Sequence, residues 1–300
     1  MKPFPMDLFS KASPMSTVGK IVQYPLIRIL IALGFLVPVF ILGKFINIGI
    51  NPHLSEGSLV FARYIEAAAS FALLLCAFIL YAKYIEKRKA QEIYSTRWLG
   101  KIGTGFLASS FLVGIVVCVL VFSNCFILSG AISNKRLVLD LFVKFFMGAF
   151  IEELIFRLII FKLTEELLGT WIALLIQVLL FGFAHGLNDN ATLFSTFSVA
   201  IVGGLVYCAA YIYSRTLWLP LGFHWGWNFS QSGIFSMPNS GTPYEGWLIT
   251  NISGPKWLTG GNWGIEGSYL AIFLCLAVGI ALIFMAKRKE HIVIPSWKSK

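Results

Sequence analysis

The chain has 300 residues, of which 57% are hydrophobic and only 13% charged. A soluble domain carries about 25% charge and needs that polar surface to cover its core. The composition therefore excludes an ordinary soluble protein and points to a polytopic membrane protein. The formal net charge is +10, yet no nucleic-acid partner is expected. Lys and Arg gather in short segments between apolar runs, without the broad basic face that phosphate tracking needs.

A basic N-terminus (Lys2, Lys11, Lys20, Arg28) leads into an apolar run at about 25–45. The run exceeds a signal-peptide core and lacks a small-x-small cleavage site, so it reads as a retained first span. Further runs long enough to cross ~30 Å of hydrocarbon lie at about 64–84, 102–124, 138–161, 171–187, 193–213, 216–235 and 269–286. The expected fold is all-α, an integral membrane protein. A single membrane domain, 1–300, has about eight transmembrane helices around an intramembrane polar cavity.

Basic residues crowd the loop after the second span (Lys83, Lys87, Arg88, Lys89, Arg97, Lys101) and the C-terminal tail (Lys287, Arg288, Lys289, Lys298, Lys300). Positively charged loops stay cytoplasmic, so both termini are expected there. The longest loop, about 236–268, then lies outside, with Trp247, Trp257 and Trp263 as interfacial anchors. Glu165 and Glu166 fall at the inner interface and are expected to be solvated. The five cysteines show no CxxC spacing and read as buried apolar filler, without a disulfide framework.

Ionisable side chains inside spans are costly and mark function. The fourth run carries Glu152, Glu153 and Arg157, the fifth His185, and the seventh His224 and Asn228. At 1.5 Å per residue, Glu152, His185, His224 and Asn228 lie roughly 16, 22, 12 and 18 Å from the cytoplasmic ends of their spans. They share one level near mid-membrane. Glu153 and Arg157 are one turn apart and can pair. Glu152 is turned about 100° away and is free to point at the histidines. Phe181 lies one turn before His185 on the same face. The remaining histidines, His53 and His291, fall in a loop and the tail.

A carboxylate and a histidine in a confined, wet cavity can activate water as a general base. A second histidine and an amide can donate hydrogen bonds to a tetrahedral oxyanion. There is no GxSxG elbow. Zinc on Glu152, His185 and His224 is the alternative. HExxH is absent, and Asn228 stands where a second ligand of such a pair would be. The balance favours a metal-free, glutamate-based mechanism.

Three motifs stand in order: EExxxR as Glu152-Glu153-Leu154-Ile155-Phe156-Arg157, FxxxH as Phe181-Gly182-Phe183-Ala184-His185, and HxxxN as His224-Trp225-Gly226-Trp227-Asn228. Together they resemble the CPBP intramembrane proteases, the family of type II CAAX prenyl endopeptidases and of bacteriocin-processing or immunity proteins. The motif core covers about 145–230. The resemblance implies that Glu152 and His185 activate water, that His224 and Asn228 hold the oxyanion, and that Glu153 and Arg157 orient the site. It implies a membrane-associated or lipidated peptide or protein as substrate, with membrane lipids around it. Two other readings remain: a non-catalytic protein of the same fold that binds a hydrophobic or lipidated partner, and a proton-coupled transporter with Glu and His as relay.

Overall fold

The computed structural model describes residues 8–10, 16–50 and 56–298. Lys2, Lys11, His53 and Lys300 lie outside them. Helices occupy each expected apolar run. After a short α1 (Thr17–Val22) come α2 (Pro25–Ile50), α3 (Glu56–Tyr84) and α4 (Trp98–Phe122). A strand, β1 (Phe126–Ala131), precedes α5 (Lys135–Glu153), which Asn134 caps by accepting from the backbone N–H of Arg136 and Leu137. The helix continues as π turns over Leu154–Phe161 and then as α6 (Lys162–His185).

Next come α7 (Leu193–Val199), a π segment (Ala200–Leu205) and α8 (Val206–Ser214), which form one rod. Thr192 and Ser195 build a reciprocal capping box at its start. α9 (Trp218–Asn228) also ends in π turns, Phe229–Ile234. The long loop contains β2 (Leu248–Ile252) and α10 (Lys256–Thr259) before α11 (Tyr269–Arg288) closes the order.

By length and apolarity, five helical stretches among the described residues can cross a membrane: Phe61–Tyr84, Trp98–Phe122, Lys135–His185, Leu193–Ser214 and Tyr269–Arg288. The expectation was about eight spans, and in the middle of the chain and at the seventh run the difference has a physical cause. The fourth and fifth runs join into one 51-residue stretch. They are separate rods, because Gly169 (φ 75°) breaks the helix between them. A Cβ there would sit 2.8 Å from the Pro295 nitrogen, so only glycine fits the corner. The seventh rod is short, at 11 α-helical and 6 π-helical residues. Of the first, Pro25–Val39 alone is counted, as a shorter apolar helix.

The loops gather into two ends. At one end, the Leu217 N–H bonds the Glu92 carbonyl, the Thr170 N–H bonds the Val293 carbonyl, and Arg215 bonds the His291 carbonyl. This end exposes Lys87, Lys89, Arg97, Lys287, Arg288 and Lys289. At the other, β1 pairs antiparallel with β2, from Phe126–Ile252 to Ala131–Leu248, with a bulge between Leu128 and Gly130. That two-stranded sheet departs from a purely helical expectation. It ties the loop before α5 to the long loop before α11.

The basic end also holds a buried ion network. Glu86 meets Arg28 at 3.0 Å and Lys162 at 2.7 Å, and Arg88 meets Glu92 at 2.7 Å. Glu165 is fully buried and takes both Arg215 nitrogens, at 2.5 and 2.9 Å. Glu166 pairs with Arg28 at 2.5 Å. The expectation of a solvated Glu165–Glu166 pair is therefore corrected: a cation brought in from elsewhere in the chain compensates each acid. Burial alone would push the Glu86 carboxyl up, but Lys162, Arg88 and Arg28 outweigh it and hold it below the ordinary range.

Two smaller expectations also change. Trp263 is buried at 3% exposure, whereas Trp247 and Trp257 are exposed as anchors would be. All five cysteines are free, but Cys76 and Cys118 are exposed rather than core filler.

Candidate active site

α9 is drawn against α4 by small residues. Gly222 and Gly226 stand one turn apart on α9. A Cβ on the first would overlap the Ile102 carbonyl, and on the second the Phe106 carbonyl. Gly105 of α4 meets α9 in the same way, with its would-be Cβ 2.7 Å from the Phe223 nitrogen. Small residues at this spacing let helix backbones approach closely in a membrane. The seam fixes the rotation of α9 and so aims His224. Gly226→Ala should cost about 1–3 kcal/mol through overpacking and displace His224. A lowered thermal midpoint in detergent together with a lower kcat would register both effects.

The four predicted residues line one cavity of about 150 Å³, ample beside the ~10–15 Å³ one water needs. Glu152, at the end of α5, has a side chain 35% exposed. Its Oε2 lies 3.8 Å from His185 Nε2 and 3.9 Å from His224 Nε2. Those separations exceed a direct hydrogen bond and suit groups that share a bridging molecule. Glu152 Oε2 is buried with no hydrogen-bond partner. His185 ends α6, and its Nδ1 lies 2.8 Å from the Phe181 carbonyl. A carbonyl only accepts, so Nδ1 carries the proton and Nε2 faces Glu152. The Phe181 ring lies against His185, tilted by 36° with centroids 4.5 Å apart. Asn228 lines the cavity one turn beyond His224.

Glu153 does more than pair with Arg157. Its Oε1 accepts from His224 Nδ1 at 2.9 Å and lies 3.1 Å from Arg157 Nη1. This carboxylate fixes the His224 tautomer, and Nε2 is the atom turned to the cavity. Arg157 is fully buried. It donates to the Gly203 carbonyl at 3.1 Å and lies over the Phe181 ring at 4.7 Å. Arg157 thus ties the EExxxR helix to the FxxxH helix and to the π segment after α7. All three π segments adjoin the site, directly after Glu153, around Gly203 and directly after Asn228. Such turns free backbone carbonyls and recur at functional sites.

Two side chains were missed. The Tyr207 ring stacks on His224 at 4.5 Å and 18°, and Tyr207 lines the cavity. Glu266, from the long loop, puts a second carboxyl on the cavity wall, and unlike Glu152 it is buried. Its Oε1 accepts from the Ser240 hydroxyl at 2.7 Å and from the Ser240 N–H. Burial pushes the Glu266 carboxyl up, and the Ser240 hydrogen bonds oppose this. Tyr207 looks like one more aromatic in an apolar rod, and Glu266 lies in a loop without periodicity. Of the two tryptophans flanking Gly226, Trp227 lines the cavity and Trp225 packs against Phe142 and Phe106.

The zinc alternative can be tested against these positions. Two ligands ~2.0–2.1 Å from a tetrahedral zinc lie about 3.3 Å apart, closer than the 3.8 and 3.9 Å found here. Among the described residues, no group of three or more His, Cys, Asp or Glu has metal-holding geometry. The residues as placed do not fit a zinc ion.

Residues 134–230 match the family model described as type II CAAX prenyl endopeptidase Rce1-like. The matched segment runs from the cap of α5 into the π turns after α9 and contains all three motifs. No curated protein and no solved structure matches the chain.

Proposed function

From the match of residues 134–230 to the family model described as type II CAAX prenyl endopeptidase Rce1-like, we propose that the chain is an intramembrane endopeptidase that hydrolyses a peptide bond with water activated by Glu152 and His185. The observation that carries this reading is the Glu152 carboxylate. Its partnerless Oε2 faces the Nε2 atoms of two histidines across 3.8 and 3.9 Å. A water in that gap donates to Glu152 and is steered by His185.

In the reaction, Glu152 takes one proton from the water as its oxygen attacks the scissile carbonyl. The tetrahedral oxyanion accepts from the Asn228 amide and from His224 Nε2–H. His224 carries this proton and the Nδ1 proton throughout the cycle, so the ring enters and leaves the reaction cationic, and Glu153 on Nδ1 offsets the charge. When the C–N bond breaks, the proton held by Glu152 passes to the leaving amine. A carboxylic acid and a free amine result, and the enzyme returns to its starting state. No step needs a metal.

The substrate is a membrane-associated peptide or protein segment, lipidated or not, and both chain termini are cytoplasmic. Asn228→Ala removes one oxyanion donor, and kcat should fall about 100- to 1000-fold with KM little changed. The metal-free mechanism is checked by dialysis of the purified protein against a strong chelator. Full turnover afterwards is the expected result. Loss of turnover that zinc restores would overturn it.

A further inference from the structure

We propose that Lys144 is a specificity-determining residue: its ammonium, held over the Tyr244 ring at the rim of the catalytic cavity, reads a carboxylate of the substrate a few residues from the scissile bond. This rests on the hydrolytic reading above and adds to it a subsite that lies outside all three motifs.

Lys144 stands about 14 Å along α5 from its first residue, Lys135, and is exposed. An ammonium on an apolar spanning helix is costly and marks function. The acid one turn before it is engaged elsewhere: Asp140 accepts from the Tyr64 hydroxyl at 2.5 Å and faces Arg136 at 3.8 Å. Among the described residues Lys144 forms no ion pair. Its Nζ lies instead over the Tyr244 ring, 4.6 Å from the centroid. Long lysine side chains turn to the nearest water, and this one turns to a ring that walls the cavity.

Tyr244 joins Lys144 to the chemistry. It lines the same cavity as Glu152, His185, His224 and Asn228, and the Phe145 ring meets it edge-on at 5.0 Å. Lys144, Gly148 and Glu152 form one row of residues four apart on α5. Gly148 is exposed, and a Cβ there would meet nothing within 4 Å. The row therefore dips between the ammonium and the catalytic carboxylate, which leaves room for a substrate strand. Lys144 and Glu152 are about 12 Å apart along the helix. An extended peptide advances ~3.3 Å per residue, so roughly three to four residues span the distance.

Charge makes this subsite selective by position. The cavity itself carries the acids Glu152 and Glu266, which repel a carboxylate placed beside the scissile bond. At the rim the ammonium attracts one. Glu245, next to Tyr244 in the chain, is exposed and does not neutralise Lys144 by pairing. The substrate carboxylate can be an Asp or Glu side chain or the free end of a chain, since an ammonium binds either by charge-assisted hydrogen bonds. Asn239 Nδ2, a buried donor without a partner on the same cavity wall, suits a backbone carbonyl of the entering segment.

The test uses quenched fluorescent peptides, neutral except for a single carboxylate, with the full chain in proteoliposomes. In one set an Asp is moved along both sides of the scissile bond. In a second the carboxylate is the free chain end, with an amidated end as its neutral counterpart. The wild type should show its lowest KM when the carboxylate lies about three to four residues from the bond, and the set in which this occurs identifies its source. Lys144→Gln should reduce the kcat/KM ratio of that peptide to its neutral counterpart roughly 3- to 10-fold, through KM. Lys144→Glu should invert the preference towards a peptide with Lys at the same position. A ratio that either variant leaves unchanged, including one kept through a uniform loss on every peptide, overturns the proposal. So does a wild type without positional preference, or one that cleaves no member of the panel. The hydrolytic reading fails separately, when Glu152→Gln cleaves the panel as the wild type does.

Discussion

Glu152→Gln should abolish turnover while the protein stays folded. Glutamine keeps the shape of the side chain but cannot accept the proton that water must surrender. General-base catalysis contributes about 10²–10⁴-fold, and here the same group also returns the proton to the leaving amine. A fall in kcat of about 10³-fold or more is expected, with substrate affinity kept. Stability should change little, because the side chain is 35% exposed and makes no ion pair with a cation of fixed charge. His185→Ala should also lower kcat, since His185 steers the same water. Parallel kcat and thermal-unfolding measurements on purified variants separate lost chemistry from lost structure.

Glu153→Gln is expected to fail differently. The amide oxygen can still accept from His224 Nδ1, but Arg157 is left fully buried beside a neutral group. Removing one partner of a buried ion pair costs about 3–5 kcal/mol, so the thermal midpoint should drop sharply. Activity should fall as well, because nothing offsets the charge of His224 in the transition state. The double variant Glu153→Gln/Arg157→Met removes both buried charges. It should regain much of the stability and little of the activity. A double-mutant cycle on both observables gives the coupling. Recovery of both together would mean that Glu153 acts only on packing.

The helices were legible because long apolar runs can hide their backbone polar groups in a membrane only as helices or closed barrels. The convergence of Glu152, His185 and His224 was legible too, since polar groups at one depth on three helices can satisfy one another. What escaped depends on partners far apart in sequence. Glu165 looked like half of a solvated acidic pair, and nothing local announces Arg215 as its counter-ion. Glu266 sits among Gly, Asn and Trp in a loop whose fold onto the cavity follows from β1–β2 pairing and from Ser240. The π turns beside each motif leave no periodic trace in residues so uniformly apolar. One missed signal was present in the sequence. Gly222 and Gly226 form a small-xxx-small pair interleaved with His224 and Asn228, and that spacing predicts a close helix contact.

The central claim is that Glu152 drives hydrolysis of a peptide bond. Glu152→Gln protein purified from its native membrane should retain substrate that the wild type turns over. Peptides recovered from the variant can be identified by mass and supplied to each protein in proteoliposomes. The expected result is cleavage at a defined bond by the wild type and none by Glu152→Gln. Equal cleavage by both proteins would contradict the account.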